Sequence, residues 1–393
     1  MAESQRHVDT LEVILTRACN LDCGYCYQDH RRAGAMGWSV LRAAMELLLH
    51  SDTEVLHLAF GGGEPLLELD LMARSVEYLH ARLHSGRGVR LSTSTNGTLM
   101  DRDAAAFLSR YDITTQISWD GIGEAQDLRA PGTSSRLERG LEVLREHHSS
   151  FLRDRCRASI TLTSSNLPYL SSSFEFLLAQ GFCEVRVAPV VTDDPGWRKG
   201  TIEVLADQVA EIFEYSLDRF KRTGEIPFAH FRVGDGDRTQ PSGPPAMCGG
   251  ATLSGLTVDV NGQVYRCPML AEPLQRYPAG ALNASYERLR LGDLRAPDFA
   301  AKMGRFPVAA REEGIFSGKQ RKYSNYRGCD GCRFLWQCSV CPASLGRGGD
   351  ATDVDRVPDM HCAFNLVVLS ARRRFLSETG TSVTASQAEP RPG

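Results

Sequence analysis

The sequence lacks a long apolar run and a surplus of either charge. No stretch reaches the roughly 18 consecutive apolar residues that a membrane-spanning helix needs, so no membrane association is expected. Lysine and arginine number 45 against 48 aspartate and glutamate residues, which gives a formal net charge of -3. Without a strong field of one sign, binding to nucleic acid is not expected either.

A secretory signal is also missing, because the first ten residues, MAESQRHVDT, are polar. The protein is therefore expected in the cytoplasm. In such a reducing compartment cysteines stay as thiols, so cysteine clusters favour metal ligation over disulfides. Iron-sulfur clusters and zinc are the two alternatives.

The twelve cysteines are unevenly spread along the chain. Three lie within residues 19–26 and seven within residues 248–362, which leaves Cys156 and Cys183 isolated. The isolated cysteines fall on or beside predicted strands, and free cysteine is among the most buried residue types, so both are predicted core residues. The two groups are predicted metal sites.

Short apolar runs alternate with amphipathic segments in the first half of the chain. Six runs are predicted to be buried strands, at residues 11–16, 55–60, 89–95, 113–118, 158–163 and 184–189. Apolar residues three and four apart predict helices between them, for example at 39–50, 71–84 and 136–148. This βα repetition predicts an α/β fold, a parallel sheet closing into a partial (β/α)6 barrel.

The pattern also divides the chain into four predicted parts. They are a barrel at 1–200, a bridging helix and turn-rich linker at 201–247, a small cysteine-rich domain at 248–370 and a disordered polar tail at 371–393. In the third part, Asn261-Gly262 between alternating apolar residues predicts a hairpin over 256–267.

Four motifs follow the first four predicted strands, so their side chains should meet at one rim of the barrel. They are RACNLDCGYCYQ with Cys19, Cys23 and Cys26, then GGGEP at 61–65, NGT at 96–98 and WDG at 119–121. Three thiolates can bind only three irons of a four-iron cube, which leaves the fourth iron open to a ligand. The C-x3-C-x2-C spacing is uncommon for zinc, the alternative.

This trio resembles the motif of the radical S-adenosylmethionine (SAM) superfamily, which places an aromatic residue before the last cysteine, here Tyr25. The resemblance implies a 4Fe-4S cluster on Cys19, Cys23 and Cys26, at which SAM is cleaved reductively to a 5'-deoxyadenosyl radical. It also implies that Tyr25 packs near the adenine.

The GGGEP segment matches the GGEP motif of the same family. Glycines allow a ligand to approach the backbone closely, and a glutamate can accept a hydrogen bond from an ammonium group. The resemblance implies that Gly62, Gly63 and Glu64 bind the methionine amino group of SAM. In isolation the segment would also fit a tight turn with a solvated glutamate.

Further cofactor contacts are implied by the third and fourth strands. Ser118 and Asp120 fall where the family contacts the ribose, and Asn96 is a similar candidate. Arg129 lies eleven residues beyond Ser118, and its planar guanidinium suits a carboxylate such as that of methionine. A solvated surface arginine is the alternative for this position.

The later cysteines resemble the SPASM extension, which carries two auxiliary 4Fe-4S clusters. Here Cys338 and Cys341 are separated by two residues, where the family pattern has three. The resemblance implies one cluster on Cys329, Cys332, Cys338 and Cys362, and another with ligands Cys248, Cys267 and Cys341 and an unidentified fourth. A zinc site on the two C-x2-C pairs is the alternative. The implied cofactors are three clusters and SAM.

Proteins that resemble this architecture mostly act on peptides. The favoured function is therefore the oxidative crosslinking of a ribosomally synthesised precursor peptide, through a thioether or C–C bond. The alternatives are an anaerobic sulfatase-maturating enzyme, a small-molecule radical dehydrogenase or epimerase, and a non-enzymatic electron-transfer protein. Against the sulfatase alternative, Pro268 follows Cys267 where that subfamily has an acidic residue that acts as a base.

The expected partners follow from the same resemblance. The first strand begins near residue 11, so no leader-binding domain is expected before it, and a separate leader-binding protein is an expected partner. A flavodoxin or ferredoxin is the expected reductant. The sequence identifies no catalytic base.

Overall fold

A computed structural model describes residues 8–29, 34–84, 86–233, 255–271, 290–303, 318–345 and 353–381. Cys248 and residues 234–247, the end of the predicted bridging segment 201–247, lie outside these ranges. The boundary at residue 248 therefore stays a prediction.

Six parallel strands form the barrel wall, and each overlaps a predicted run. They are β1 (Thr10–Thr16), β2 (Val55–Gly62), β3 (Gly88–Thr95), β4 (Thr114–Ser118), β5 (Cys156–Leu162) and β6 (Val185–Pro189). They hydrogen-bond in the order β6-β5-β4-β3-β2-β1. β1 and β6 lie at opposite ends of this order and do not pair with each other, so the parallel sheet stays open. The predicted partial (β/α)6 barrel is therefore confirmed.

Helices cover the outer face of this wall. They are α1 (Trp38–Leu49), α2 (Leu69–His80), α3 (Arg102–Arg110), α4 (Gly123–Arg129), α5 (Ser134–His147), α6 (Ser149–Arg155) and α7 (Leu170–Ala179), followed by the long α8 (Thr201–Thr223). In α1, Leu41, Met45 and Leu48 have no solvent exposure. Their spacing of three and four residues is the basis of the helix prediction. It places the three side chains on one face of the helix, and this face packs on the sheet.

The second half of the chain continues the same sheet. β7 (Gly255–Val258) pairs in parallel with β1, and it is followed by antiparallel β8 (Gln263–Tyr265) and β9 (Gly292–Asp293). The predicted hairpin is confirmed, with Gly262 at φ +87° in its turn. The sequence did not predict that this hairpin extends the barrel sheet, which makes β1 an interior strand.

The C-terminal helix corrects one prediction. Residues 371–393 were expected to be disordered, but α9 (Asp359–Thr379) runs well into that segment. Phe375 has no exposure and its ring lies 6.1 Å from that of Phe213 and 5.8 Å from that of Phe220, both on α8. Phe231 stacks on it at 4.9 Å. This aromatic burial stabilises the helix beyond its apolar first half.

Two further expectations concern burial. Cys156 has no exposure, as predicted, whereas Cys183 is only partly buried. Across the ranges given above, no helix is both long and apolar enough to cross a bilayer.

Replacing Phe375 with alanine tests the packing of α9. Phe375→Ala removes a fully buried ring, so we expect a loss of about 3–5 kcal/mol in unfolding free energy. Chemical denaturation would measure it, with Arg373→Ala at an exposed position of the same helix as the control. Equal stability of the two variants would mean that this part of the helix does not pack.

Candidate functional site

The predicted cysteine trio lies in the loop after β1 and lines one cavity of about 370 Å³ at the carboxyl ends of the strands. The amide of Cys26 donates to the carbonyl of Cys23 at 3.0 Å, which folds the loop back on itself. Burial raises the pKa of the Cys19 thiol to about 11 and also raises that of Cys23. Deprotonated thiolates here therefore need a cation, such as the irons of a cluster.

The glycines at the end of β2 are required by the close approach of the cysteine loop. The amide of Gly63 donates to the carbonyl of Thr16, and that of Glu64 to the carbonyl of Ala18, both at 2.9 Å. A Cβ on Gly62 would lie 2.5 Å from the Thr16 oxygen, and one on Gly63 would lie 2.2 Å from the Ala18 oxygen. Both glycines also line the cavity, as the sequence predicts. Backbone contact alone therefore excludes any larger residue.

Glu64 was expected to bind the amino group of SAM, but its carboxylate faces donors of the protein itself. Its side chain is fully buried, and its oxygens accept from the amides of Leu66 (3.0 Å) and Asn96 (2.7 Å) and from the Thr95 hydroxyl (2.6 Å). It is not among the residues that line the cavity. A buried carboxylate needs hydrogen-bond donors, and these three supply them. Because two of the donors belong to Thr95 and Asn96, the carboxylate also holds the second loop against the third.

Asn96 lies beside the cysteine trio. It lines the cavity, and its amide nitrogen is 3.7 Å from the Cys19 sulfur and 2.8 Å from the Asn20 side-chain oxygen. Asn20 in turn donates to the Thr98 hydroxyl at 2.9 Å. The sequence singled out Asn96 but not Asn20, whose amide connects the first loop to the third.

Asp120 is buried beneath the cavity and is not among its lining residues. One oxygen accepts from the Tyr25 hydroxyl at 2.5 Å, and the other from the Thr161 amide at 2.9 Å and from Arg129 at 3.4 Å. Burial raises the pKa of Asp120, while Arg129 and Tyr25 act to lower it. This carboxylate therefore fixes two predicted cofactor residues, while Ser118, the other predicted ribose contact, lines the cavity.

Arg129, the last residue of α4, lines the cavity with a side chain that is only 10% exposed. Its guanidinium carbon is 5.7 Å from the centre of the Tyr25 ring, and it also hydrogen-bonds the Cys23 thiol. Its Nε is buried without a hydrogen-bond partner in the described structure. An unused donor on a buried cation is costly, so this position fits a ligand carboxylate.

Four later cysteines share a second, apolar cavity. Cys329, Cys332, Cys338 and Cys362 all line it, whereas Cys341 does not. These four are the set that the resemblance to the SPASM extension implies for one cluster. The alternative zinc site on the two C-x2-C pairs would need Cys341 in place of Cys362.

The second set of cysteines is only partly visible. Cys267 is partly buried, and Pro268 and Met269 after it line the first cavity. Cys248 lies outside the described ranges, so its grouping with Cys267 and Cys341 stays a prediction. Within those ranges, no three His, Cys, Asp or Glu side chains converge on a single metal ion position.

Comparison with known proteins identifies the first half of this arrangement. Residues 13–153 match the model of the Radical SAM superfamily, and they contain the cysteine trio, the GGGEP loop, Asn96, Ser118 and Arg129. This segment is a radical SAM domain. Members of the superfamily are SAM-dependent enzymes, and the domain implies a 4Fe-4S cluster and SAM as cofactors.

Two relatives match the chain over part of their length. An uncharacterised protein of Methanocaldococcus jannaschii is 30% identical over 186 residues, 46% of this chain and 61% of that protein. A cysteine-type anaerobic sulfatase-maturating enzyme of Clostridium perfringens is 31% identical over 146 residues, 34% of this chain and 40% of the enzyme. The chain thus spans less than two thirds of the length of either relative.

Solved structures share the fold over a longer span. Native anSMEcpe with bound AdoMet and Kp18Cys peptide superposes with a TM-score of 0.69 at 17% identity, over 95% of this chain and 99% of that one. Streptococcus suis SuiB bound to precursor peptide SuiA gives 0.55 at 16% identity, over 91% and 76%. The likeness extends beyond the radical SAM domain and includes the C-terminal extension.

Sequence reasoning missed Glu12, which lies on β1 and lines the same cavity as the cysteine trio. Burial raises the pKa of this carboxyl from 4.5 to about 7. Its Oε1 would be 2.6 Å from a Cβ on Gly61, so this first glycine of GGGEP makes room for it. A signal was present, since Glu12 is the one charged residue in the apolar run LEVILT.

Replacing Glu12 with glutamine tests this burial. Between pH 4.5 and about 7 the unfolded carboxylate ionises before the folded one, so wild-type stability falls across this window. Glu12→Gln removes that loss. We expect the variant to gain roughly 1–3 kcal/mol over wild type above pH 7 and little at pH near 4. Melting temperatures between these limits would measure it.

Glu54→Gln, at an exposed position before β2, is the control and should show no such pH-dependent gain. A difference in melting temperature between Glu12→Gln and wild type that stays constant with pH would contradict a raised pKa of Glu12.

Proposed function

We propose that the chain is a radical SAM enzyme that generates a 5'-deoxyadenosyl radical and oxidatively crosslinks a ribosomally synthesised precursor peptide. One observation carries the cofactor part: three thiols and Arg129, with its unused buried donor, line one cavity in a radical SAM domain. The substrate part is supported by the fold shared with structures that hold bound peptides.

The cofactor contacts follow from the side chains that line the cavity. Cys19, Cys23 and Cys26 would hold the 4Fe-4S cluster, and Arg129 would bind the SAM carboxylate. When bound, cluster and SAM together supply an electron and a sulfonium, whose reductive cleavage gives the radical. Asp120 fixes the Arg129 guanidinium through a hydrogen bond and also accepts a hydrogen bond from the Tyr25 hydroxyl. The Tyr25 ring would pack on the adenine.

Other parts of SAM would meet the second, third and fourth loops. The backbone of Gly62 and Gly63 would receive the amino group, while Glu64 holds this loop in place through its own hydrogen bonds. Ser118 and Asn96, both in the cavity wall, would contact the ribose.

The C-terminal extension would hold two auxiliary 4Fe-4S clusters, as in a SPASM domain. Cys329, Cys332, Cys338 and Cys362 are proposed for one, which their shared cavity supports. Cys248, Cys267 and Cys341 are proposed for the other, with a fourth ligand still to be found. Such clusters provide a route for the second electron of a net oxidation.

Formylglycine formation is the second candidate, and it is favoured by the similarity to a sulfatase-maturating enzyme. Pro268 argues against formylglycine formation, because it lines the cavity at the position where the sulfatase-maturating subfamily has an acidic residue that acts as a base. We therefore favour crosslinking, with a separate leader-binding protein and a flavodoxin or ferredoxin reductant as proposed partners.

Replacing Cys19, Cys23 and Cys26 together with alanine tests the cofactor assignment. Anaerobically reconstituted wild type should hold about twelve irons, and the triple variant should lose about four. With dithionite and SAM, the variant should form no 5'-deoxyadenosine, because no open cluster remains to deliver the electron. Chromatography of the products measures this, and Cys183→Ala is the control. Undiminished 5'-deoxyadenosine formation would refute the assignment.

Incubation with precursor peptides encoded near the gene tests the substrate. We expect mass spectrometry to show the loss of two hydrogens per crosslink and fragment ions that stop at the joined residues. The product should not react with a hydrazide. A hydrazide-reactive aldehyde would instead favour formylglycine formation, and an unchanged peptide in the presence of active SAM cleavage would oppose a peptide substrate.

A further inference from the structure

Two buried lysines line the apolar cavity that is shared by Cys329, Cys332, Cys338 and Cys362. The residue Lys319 is 3% exposed and Lys322 is 1% exposed. Lysine is almost never fully buried in proteins unless an opposite charge accompanies it. The group that compensates the positive charge of each lysine therefore indicates what its amine is placed to interact with.

Lys322 has a carboxylate partner. Its amine lies 3.3 Å from an oxygen of Asp355, which is itself partly exposed, and donates to the carbonyl of Val354 at 3.0 Å. This ion pair offsets the charge of Lys322.

Lys319 has no such partner among the residues that the structure describes. Its amine donates to the main-chain carbonyl of Cys338, one of the four cysteines. Within the described ranges no carboxylate forms an ion pair with it. The groups that become negative in the cavity shared with Lys319 are instead the thiols of Cys329, Cys332 and Cys338, once these are deprotonated by metal binding.

We propose that Lys319 is a buried, fixed cationic partner of the auxiliary cluster on these four cysteines, beside the exposed Arg327 that donates to the Cys332 sulfur at 3.6 Å, and that Lys319 raises the reduction potential of this cluster. The proposal rests on the auxiliary cluster proposed above. Adding an electron makes a thiolate-bound cluster more negative, and a nearby buried cation stabilises that extra charge. Lys322 contributes less, because Asp355 cancels much of its field.

The test compares charge at one position. Lys319→Gln keeps a donor for the Cys338 carbonyl but removes the positive charge, whereas Lys319→Arg keeps both. Redox titration of the anaerobic holoprotein, followed by EPR, gives the midpoint potential of each cluster. The signal lost in Cys329→Ala identifies the cluster concerned.

We expect the midpoint potential of this cluster to become more negative in Lys319→Gln and to stay near the wild-type value in Lys319→Arg. The other cluster signals should not move. If the glutamine variant fails to retain the cluster, Lys319→Met against Lys319→Arg makes the same comparison.

An unchanged potential in a charge-free variant that retains its full iron content would overturn the role of Lys319. Failure of the underlying assignment looks different, since wild type and Cys329→Ala would then hold the same iron and show the same signals.

Discussion

The close approach of the cysteine loop to the glycines at the end of β2 is the contact on which the site depends. Gly63 and Glu64 continue the β1–β2 ladder past the ends of the strands, with two hydrogen bonds to Thr16 and Ala18. Side chains are excluded there, because a Cβ would fall within 2.5 Å of a carbonyl oxygen. These bonds hold the start of the cysteine loop against β2, next to the three thiols that line the cavity.

Two buried carboxylates then fix the rest of the cavity wall. Glu64 ties the second loop to Thr95 and Asn96, and Asp120 ties the fourth strand to Tyr25, Arg129 and the fifth strand. Burying a carboxylate is unfavourable unless several donors surround it, and each of these two has at least three. The cavity-lining residues that they contact are therefore held by carboxylates that do not line the cavity themselves.

β1 connects the two halves of the chain. It pairs with β2 on one side and with β7 on the other, and its loop carries the cysteine trio. The carbonyl of Val190, just after β6, hydrogen-bonds the His361 ring at 2.8 Å, next to Cys362 at the start of α9. The barrel and the later cysteines are thus joined by backbone pairing, by side-chain contact and by the aromatic packing of α9.

The sequence by itself determined the six strands, the order of the motifs and the two cysteine groups. Alternating apolar runs specify buried strands locally, and thiol spacing depends only on neighbours along the chain. Tertiary structure decided the rest: that Glu64 and Asp120 face protein donors, that Glu12 faces the cavity, that β7 extends the sheet and that Phe375 anchors α9. Each of these depends on residues far apart in sequence, and which partner a side chain meets is set by packing, which no local pattern encodes.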